Sequence, residues 1–253
     1  MSYNLIMRLD KALASSGYGT RTEVKALITK GKVQVSGKTI KDPGFHIKDD
    51  DIKSVTVDGS EADIKEKIYL LLDKPDNVLT AMEDKRLAHV GQFLPSNLKN
   101  RKISPVGRLD YHTTGLLILT NDGELSHRLT SPSYNIPKTY KVTFEGPELT
   151  KENIDEASRG IVLTDMDTPV KLKPSILKIT DGNTALLTLT EGKTHEVRRI
   201  FAKWGRPVIG LRRISIGELS LNEDSVEGQL EELTSEQTDY LLKITGLSRE
   251  AEQ

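Results

Sequence analysis

The sequence predicts an α+β protein in which a small helical and β unit precedes a domain on a large, mostly antiparallel mixed sheet. Two observations carry this prediction. The first 60 residues contain two short amphipathic helical patterns followed by short alternating strands, and the remainder places buried strands between helices. The 253 residues are enough for one large and one small domain, each with its own core. We therefore place a small domain at residues 1–59, a polar linker at 60–67, a large domain at 68–245 and a C-terminal tail at 246–253.

The composition excludes several classes of protein. Hydrophobic residues make up 36% of the chain and charged residues 29%, as in soluble globular proteins. The longest apolar runs, such as residues 68–72, are too short to cross a bilayer, and the N-terminus lacks the apolar core of a signal peptide. The absence of cysteine excludes disulfides and thiolate metal sites, and the five histidines show no metal-ligand spacing. We therefore expect a cytoplasmic protein with neither a membrane segment nor a bound metal.

Charge is unevenly distributed along the chain. The net charge of −1 combines +3 over residues 1–60, +4 over residues 151–215 and −8 over residues 216–253. Clusters of Lys and Arg on one face neutralise phosphates and release counterions, so the two basic regions suggest a polyanionic partner. The alternative is an ordinary solvated face, which charge alone favours.

The elements of the small domain follow from local patterns. Leu9, Ala12 and Leu13 share one face of a helix over residues 7–18, and glycines end it. A second helix opens at Thr20, where TRTE supplies a capping box, and stops at a glycine. VQVSGKTI then alternates as two short strands about a Ser-Gly turn, and SVTVDG is a last strand. A unit of this size is within the range that folds alone.

The segment RLDKALASSGYGTRTEVKALITKGKVQVSGKTIKDP resembles the S4-like RNA-binding domain, whose pattern it carries almost completely. In that family, two short helices form the surface that faces RNA. The resemblance implies RNA-contacting side chains at Arg8, Lys11, Arg21, Thr22, Lys25, Lys30 and Lys32. By residue type alone, these are ordinary surface charges. The domain serves many RNA-handling proteins, so it indicates a partner and no reaction.

The large domain begins at the buried strand IYLLLDKP, which a proline ends. HVGQFLP indicates a short helical turn, GLLILT a second buried strand, and NDG the start of a helix that carries residues 124–129. KTYKVTFEG, TALLTLT and residues 214–221 add further strands. The apolar stripe of EVRRIFAKW, with spacing i, i+3, i+4 and i+7, predicts a helix that the following glycine ends.

Asp110 lies in a loop bounded by glycine and proline, directly before a buried strand. Alone, it is typical of a turn or capping residue, because Asp side chains bond nearby backbone amides. Its surroundings are more specific. The strings GRLDYHTTGLLILTNDGELSHRLTSP, KTY, EGKTHEVRRIFAKWG and LRRISIG occur in this order and resemble the pseudouridine synthases of the RsuA family, which modify small-subunit ribosomal RNA. The resemblance covers residues 7–235.

The resemblance implies a reaction and the residues that carry it. The bond between uracil and ribose breaks, the base rotates, and a carbon–carbon bond rejoins it to the sugar, with no cofactor and no metal. Asp110 is then an ionised nucleophile, which attacks either the anomeric carbon or carbon 6 of the ring. Arg198 matches the basic partner, Tyr140 the residue that stacks on uracil and assists proton loss from carbon 5, and Leu211 the apolar residue that packs on the base. By residue type alone, these three are a helix-flank arginine, a packed strand tyrosine and a core leucine.

Further motif positions imply contacts with the RNA. Arg108 would help to hold the RNA helix open while the uridine is flipped out of its stack. The other implied RNA contacts are His195, Arg199, Arg212 and Arg213. Three residues depart from the family pattern: Glu196 stands where glutamine is usual, and Tyr111 and His112 replace an apolar and an acidic or amide residue. These departures concern RNA contacts more than catalysis.

The target RNA is open between two branches of enzymes. TTG, SHRLTSP and KTY resemble the small-subunit branch, whereas the arginine pair of VRRIF resembles the large-subunit branch. We favour one uridine in the helix 18 region of 16S RNA, with 23S RNA as the alternative. A non-catalytic RNA-binding ribosome-assembly factor is a further alternative, and a glycoside hydrolase would need a second carboxylate, which the motifs do not offer. We expect a monomer whose partner is ribosomal RNA in a partly assembled small subunit, with the acidic segment 218–236 away from RNA.

Overall fold

A computed structural model describes residues 6–62, 64, 67–99, 101–165, 168–222 and 224–248. The predicted tail at 246–253 lies mostly outside these residues, and the predicted linker at 60–67 partly so. Within the described part of the chain, no helix is long and apolar enough to cross a membrane. The arrangement of helices and strands confirms the predicted α+β class.

The small N-terminal unit is built from short helices and short strands. Its elements are β1 (Ile6–Arg8), α1 (Leu9–Ser15), α2 (Arg21–Thr29), β2 (Val33–Val35), β3 (Lys38–Ile40), β4 (His46–Lys48), α3 (Asp49–Ile52), β5 (Val55–Val57) and β6 (Ser60–Glu61). β1 pairs with β4, and the other strands form a four-stranded sheet in the order β3-β2-β5-β6. All of these pairs are antiparallel.

Helices α1 and α2 form where their capping and apolar patterns predict them, whereas α3 lies in an acidic run for which no helix is predicted. At the start of α2, the Thr20 hydroxyl accepts the Glu23 N–H at 3.3 Å, and the Glu23 carboxylate accepts the Thr20 N–H at 2.7 Å. This is the predicted capping box. Leu9, Leu13 and Ile28 are fully buried against the small sheets. Their burial leaves the polar side of α2 facing solvent.

The first residues of the segment predicted as a linker, 60–67, belong to a strand of the small unit. Ser60–Glu61 forms β6, which pairs with β5, and the Ile64 side chain is buried in the apolar core of the small unit. Short edge strands need few apolar residues, so a polar segment can continue a sheet. The small unit therefore extends into the segment that the composition alone assigns to the linker.

The second unit contains the remaining elements. They are β7 (Tyr69–Lys74), β8 (Ser104–Pro105), β9 (Thr114–Thr120), α4 (Gly123–Thr130), β10 (Lys138–Phe144), α5 (Lys151–Arg159), β11 (Val162–Leu163), β12 (Val170–Lys171), β13 (Ile176–Asp181), β14 (Thr184–Leu189), α6 (Glu196–Lys203), β15 (Val208–Ile216), β16 (Leu219–Ser220), β17 (Leu230–Glu232) and α7 (Ser235–Ile244). Short 3-10 helices occur at Val90–Phe93, Ser96–Leu98 and Pro132–Tyr134. The first of these is the predicted helical turn.

One large sheet organises the second unit, with strand order β13-β14-β10-β15-β9-β7-β17. β8 pairs with β9, β16 pairs with β15, and β11 pairs with β12 apart from this sheet. Within the large sheet, β9 and β15 run parallel and the other pairs are antiparallel, which confirms the predicted mixed sheet. The parallel pair aligns Thr114 with Arg212 and Gly115 with Arg213. The loop before β9 therefore opens beside the middle of β15.

Helices and a long connection cover the two faces of this sheet. Leu71 and Leu116 point to one face, where α4 and α7 pack on them. The alternate residues Leu72 and Leu117 point to the other face, which the connection between β7 and β9 covers. α5 and α6 extend this second face over β10, β14 and β15. The loop before β9 and the start of α6 thus meet on one face of the sheet.

Candidate active site

Asp110 lies at the tip of the loop that leads into β9, and backbone contacts hold both sides of that loop. The Val106 N–H donates to the Ile118 carbonyl at 2.8 Å. The Thr80 hydroxyl donates to the Leu109 carbonyl at 2.6 Å and accepts the Leu109 N–H at 3.2 Å. Because Leu109 is buried, the chain turns at Asp110 and leaves its carboxylate 36% exposed. The scaffold therefore presents this carboxylate with a fixed backbone behind it.

Lys74, the last residue of β7, supports the same loop from inside the protein. Its side chain has no exposed surface, and its Nζ donates to the carbonyls of Pro75 at 3.0 Å, Thr113 at 2.9 Å and Tyr111 at 3.3 Å. Burial lowers the pKa of Lys74 to about 8, against the opposing effect of nearby negative charges that include Asp110. The sequence analysis missed this residue. The available signal was a charged pair, Asp73 and Lys74, at the end of a run of buried residues, because Lys is rarely fully buried without partners.

A pocket of about 360 Å³ opens between this loop, β10, β15 and the segment before α6. Six of its lining residues bear on the predictions: Arg108, Asp110, Tyr140, His195, Glu196 and Leu211. They come from four separate parts of the chain. The structure thus brings together three of the four residues predicted to act in catalysis, with Arg198 outside the lining. Among the described residues, no group of three or more His, Asp and Glu side chains is arranged to hold a metal ion.

The imidazole of His195 lies close to the Asp110 carboxylate. Its Nε2 lies 3.5 Å from Asp110 Oδ1. His195 is the N-cap of α6 and has a φ of 51°, a left-handed conformation that is uncommon outside glycine. This turn points the imidazole toward the loop before β9. The residue predicted as an RNA contact therefore also touches the candidate nucleophile.

Arg198 reaches the Asp110 loop through its backbone. Its Nη2 donates to the His112 carbonyl at 2.8 Å, and its Nη1 donates to the Val208 carbonyl at 3.3 Å. Within the described residues, Arg198 and Asp110 form no ion pair inside 4.0 Å. The guanidinium thus fixes the chain two residues beyond the carboxylate, and the direct pair implied by the resemblance is absent from this arrangement.

The other three motif arginines are engaged within the protein. Arg199 donates to both oxygens of Asp165 at 2.7 Å. Arg212 pairs with the buried Asp73 at 2.5 Å, on the sheet face opposite Leu211, because successive strand residues point to opposite faces. Arg213 is 3% exposed, and its Nε donates to the Leu116 carbonyl. The structure thus buries Arg213, and it places Arg212 on the face away from the pocket; their predicted phosphate contacts stay predictions.

Glu196 is the second carboxyl group of the pocket, which the sequence motifs did not indicate. Its side chain is 4% exposed, and burial raises its pKa to about 7, with Glu191 nearby adding to the rise. Oε2 accepts the Lys193 N–H at 2.7 Å. Oε1 is buried without a hydrogen-bond partner. The sequence showed only that this position departs from the family pattern, since burial of a helix-start glutamate depends on tertiary packing.

The predicted RNA-contacting side chains of the small unit lie mainly on the surface of α1 and α2. The exposed residues are Arg8, Lys11, Arg21, Thr22, Lys25, Lys30 and Lys32. Arg8 donates to the buried Asp10 at 2.9 and 3.0 Å, and Lys32 pairs with Asp58 at 2.9 Å. The structure therefore leaves a basic surface on α2 and the turn after it.

The chain is similar to known proteins over nearly its whole length. Residues 68–203 match the RNA pseudouridylate synthase family, and residues 7–53 match the S4 domain. An uncharacterized RNA pseudouridine synthase of Bacillus subtilis, YtzG, is 42% identical over 93% of this chain and 98% of its own. The ribosomal small subunit pseudouridine synthase A of Haemophilus influenzae is 36% identical, over 94% of this chain and 100% of its own.

Two further comparisons bear on the branch and the fold. The ribosomal large subunit pseudouridine synthase B of Bacillus subtilis is 38% identical, over 85% of this chain and 87% of its own. A crystal structure of a pseudouridylate synthase matches with a TM-score of 0.64 at 34% identity, over 93% of this chain and 99% of that one. With the pocket and its aspartate loop described above, these findings show that the chain belongs to the RNA pseudouridylate synthase family, as an RNA-modifying enzyme with an N-terminal S4 domain.

Proposed function

We propose that this enzyme isomerises one uridine of ribosomal RNA to pseudouridine and that its substrate is 16S RNA. The observation that carries the reaction is the pocket that Asp110, Tyr140 and Leu211 share. The Haemophilus influenzae relative, named for the small ribosomal subunit, supports the substrate. Within 16S RNA we propose the helix 18 region, which the resemblance to the small-subunit branch implies.

In this proposal Asp110 is the nucleophile. Its carboxylate faces the pocket with more than a third of its surface accessible, so a flipped uridine can reach it. Attack falls on either the anomeric carbon or carbon 6. In both cases the bond from N1 to the anomeric carbon breaks, a bond from carbon 5 to that carbon forms, and the carboxylate is released. The proton of carbon 5 leaves and N1 gains one, so the reaction is an isomerisation.

Tyr140 and Leu211 hold the base in this account. They lie on the neighbouring strands β10 and β15, on the sheet face that carries the pocket. A ring and an aliphatic side chain on one face provide the stacking surface that a pyrimidine needs. The Tyr140 hydroxyl assists the loss of the carbon 5 proton. Arg108, exposed at the pocket rim, contacts the RNA around the flipped nucleotide.

Lys74, His195 and Arg198 position Asp110 in this proposal, and the ammonium group of Lys74 balances its charge. The ammonium of Lys74 lies beneath the loop, and the imidazole of His195 lies 3.5 Å from the carboxylate. Arg198 acts as the basic partner through the His112 carbonyl. Opposite charges in a site with limited solvation interact more strongly than they do in bulk water.

The S4 domain supplies RNA affinity through the exposed basic side chains of α2. We propose that the partner is ribosomal RNA within a partly assembled small subunit, bound by a monomer of the enzyme. We propose that the acidic segment 218–236 lies away from the RNA, because its carboxylates repel phosphate.

A second candidate substrate is 23S RNA. The Bacillus subtilis relative named for the large ribosomal subunit is 38% identical, which is close to the identity with the small-subunit relative. The pocket residues serve either RNA, since both reactions act on the same base. The product therefore distinguishes the two substrates.

The replacement Asp110→Asn is expected to reduce the single-turnover rate of pseudouridine formation by at least about 10³-fold, a loss of the kind seen when nucleophiles are removed. An amide has nearly the same shape but is a far weaker nucleophile. RNA affinity, measured by filter binding, should stay within about twofold, because the S4 domain is unchanged. Asp155→Asn, at an exposed position on α5, is the matched control. Normal turnover in Asp110→Asn contradicts the assignment.

The target is expected to appear as one new pseudouridine in 16S RNA, in the helix 18 region. The purified enzyme would be incubated with free 16S RNA, with a small-subunit assembly intermediate and with free 23S RNA. Carbodiimide-dependent primer-extension stops then locate pseudouridine in each RNA. A stop in 23S RNA alone would keep the reaction and overturn the proposed substrate.

Lys25→Ala and Lys30→Ala are each expected to weaken RNA binding to a similar degree for all RNA sequences. Each replacement removes about one phosphate contact, so the slope of log affinity against log salt should fall by about 0.7 to 1. Fluorescence anisotropy over a salt series measures this slope. The control is Lys178→Ala on the edge strand β13, with an equally exposed lysine. An unchanged slope in both variants would remove α2 from the proposed RNA surface.

A further inference from the structure

One wall of the pocket is the loop from Glu191 to Glu196, and a buried carboxyl group stands at each end of it. Glu191 is 7% exposed and Glu196 is 4% exposed. At the first end, Glu191 Oε1 accepts the Lys173 N–H at 2.5 Å, and Oε2 lies 3.2 Å from Lys193 Nζ. At the second end, Glu196 Oε2 accepts the Lys193 N–H at 2.7 Å. The two carboxyl groups thus close the loop that carries His195 to Asp110.

The two carboxyl groups differ in how their charge is balanced. Glu191 has an ammonium group and a backbone N–H as partners. Glu196 has one backbone N–H, and its Oε1 is buried without a partner. The charged groups that face Glu196 are Glu191, Lys193 and Arg199, and Asp165 already holds Arg199 through two hydrogen bonds. An ionised Glu196 would therefore be a second negative charge beside Glu191 with little compensation.

We propose that Glu196 is a positioning residue whose uncharged carboxyl group keeps the loop Glu191–Glu196 closed, so that His195 stays against Asp110. This inference rests on the proposed function of Asp110. Ionisation of Glu196 requires water at the buried Oε1, and water reaches it only when the loop moves outward. The raised pKa of Glu196, about 7, places this change within the range in which the enzyme can be assayed.

The first readout is the rate of pseudouridine formation in single turnover, at saturating RNA, between pH 6 and pH 9. The uncharged fraction of a carboxyl group falls about tenfold for each pH unit above its pKa. The wild-type rate is therefore expected to decline above pH 7, approaching tenfold per unit. Glu196→Gln has the same shape without the charge, so its rate relative to wild type should rise with pH. Equal profiles for the two proteins overturn the proposal.

Glu191→Gln is the second variant, and it is expected to strengthen the loss of rate at high pH, whereas Glu196→Gln weakens that loss. Removal of the neighbouring negative charge lowers the pKa of Glu196, so the alkaline decline should begin at a lower pH than in wild type. Other groups that titrate in this range, such as Lys74 and the base itself, affect all three proteins alike. A shift of the same sign in both glutamine variants contradicts the proposal.

The second readout does not need the reaction. Trypsin cleavage after Lys193, identified by mass spectrometry, reports whether the loop is open. The measured quantity is the cleavage rate of wild type divided by that of Glu196→Gln, and this ratio should increase from pH 7 to pH 9. Because both proteins are cleaved under the same conditions, the pH dependence of trypsin cancels in the ratio. If neither wild type nor the two variants form pseudouridine while this ratio rises, the proposed function fails and the control of the loop by Glu196 stands. If the ratio is constant, the loop proposal fails whatever the activity.

Discussion

The arrangement of the pocket depends on one buried cation. Lys74 ends β7, the strand next to the edge strand β17, has no contact with solvent, and places its ammonium group among three backbone carbonyls. Two of these carbonyls, those of Tyr111 and Thr113, belong to the turn that presents Asp110. A buried ammonium group is costly unless its donors are used, so the loop and the lysine stabilise each other. β7 pairs with β9 on one side and with β17 on the other, so the loop that presents the carboxylate is held by a strand that is paired on both sides.

The alternation of side chains along β15 determines which of its residues face the pocket. Leu211 points to the pocket face, and Arg212 points to the opposite face, where it pairs with Asp73. Arg213 is buried, and its Nε donates to the Leu116 carbonyl. Three adjacent residues of one motif therefore have three different environments. Exposed positive charge lies on Arg108 and on α1 and α2, whereas the arginines of β15 have partners within the protein.

The sequence predicted helices and strands well where their formation depends on neighbouring residues, through capping and the spacing of apolar side chains. The capping box at Thr20, the strand GLLILT and the apolar stripe of α6 all appear where the patterns place them. The presence of Asp110, Tyr140 and Leu211 in one pocket also agrees with the motifs. Motifs preserve residue order, and the fold of a family brings the same positions together.

The burial and direction of several side chains around the pocket could not be predicted from the sequence, because they depend on packing between distant segments. Neither the burial of Lys74 nor that of Glu196 has a signature in its own neighbourhood, since both depend on loops from other parts of the chain. The direction of Arg213 depends on the exact start of a strand, and a shift by one residue exchanges the two faces. Arg198 reaches the Asp110 loop through a backbone carbonyl, which no residue pattern encodes.

The most direct test of this account is the single-turnover rate of Lys74→Met, measured well below its melting temperature and at saturating RNA. Methionine fills the same space without donors, so the account predicts a rate at least about tenfold lower, with RNA affinity unchanged. Lys67→Met is the matched control, because Lys67 lies just before the other end of β7 and pairs with Asp122 at 3.1 Å. A folded Lys74→Met enzyme with the wild-type rate would contradict the claim that this lysine holds the Asp110 loop in its active position.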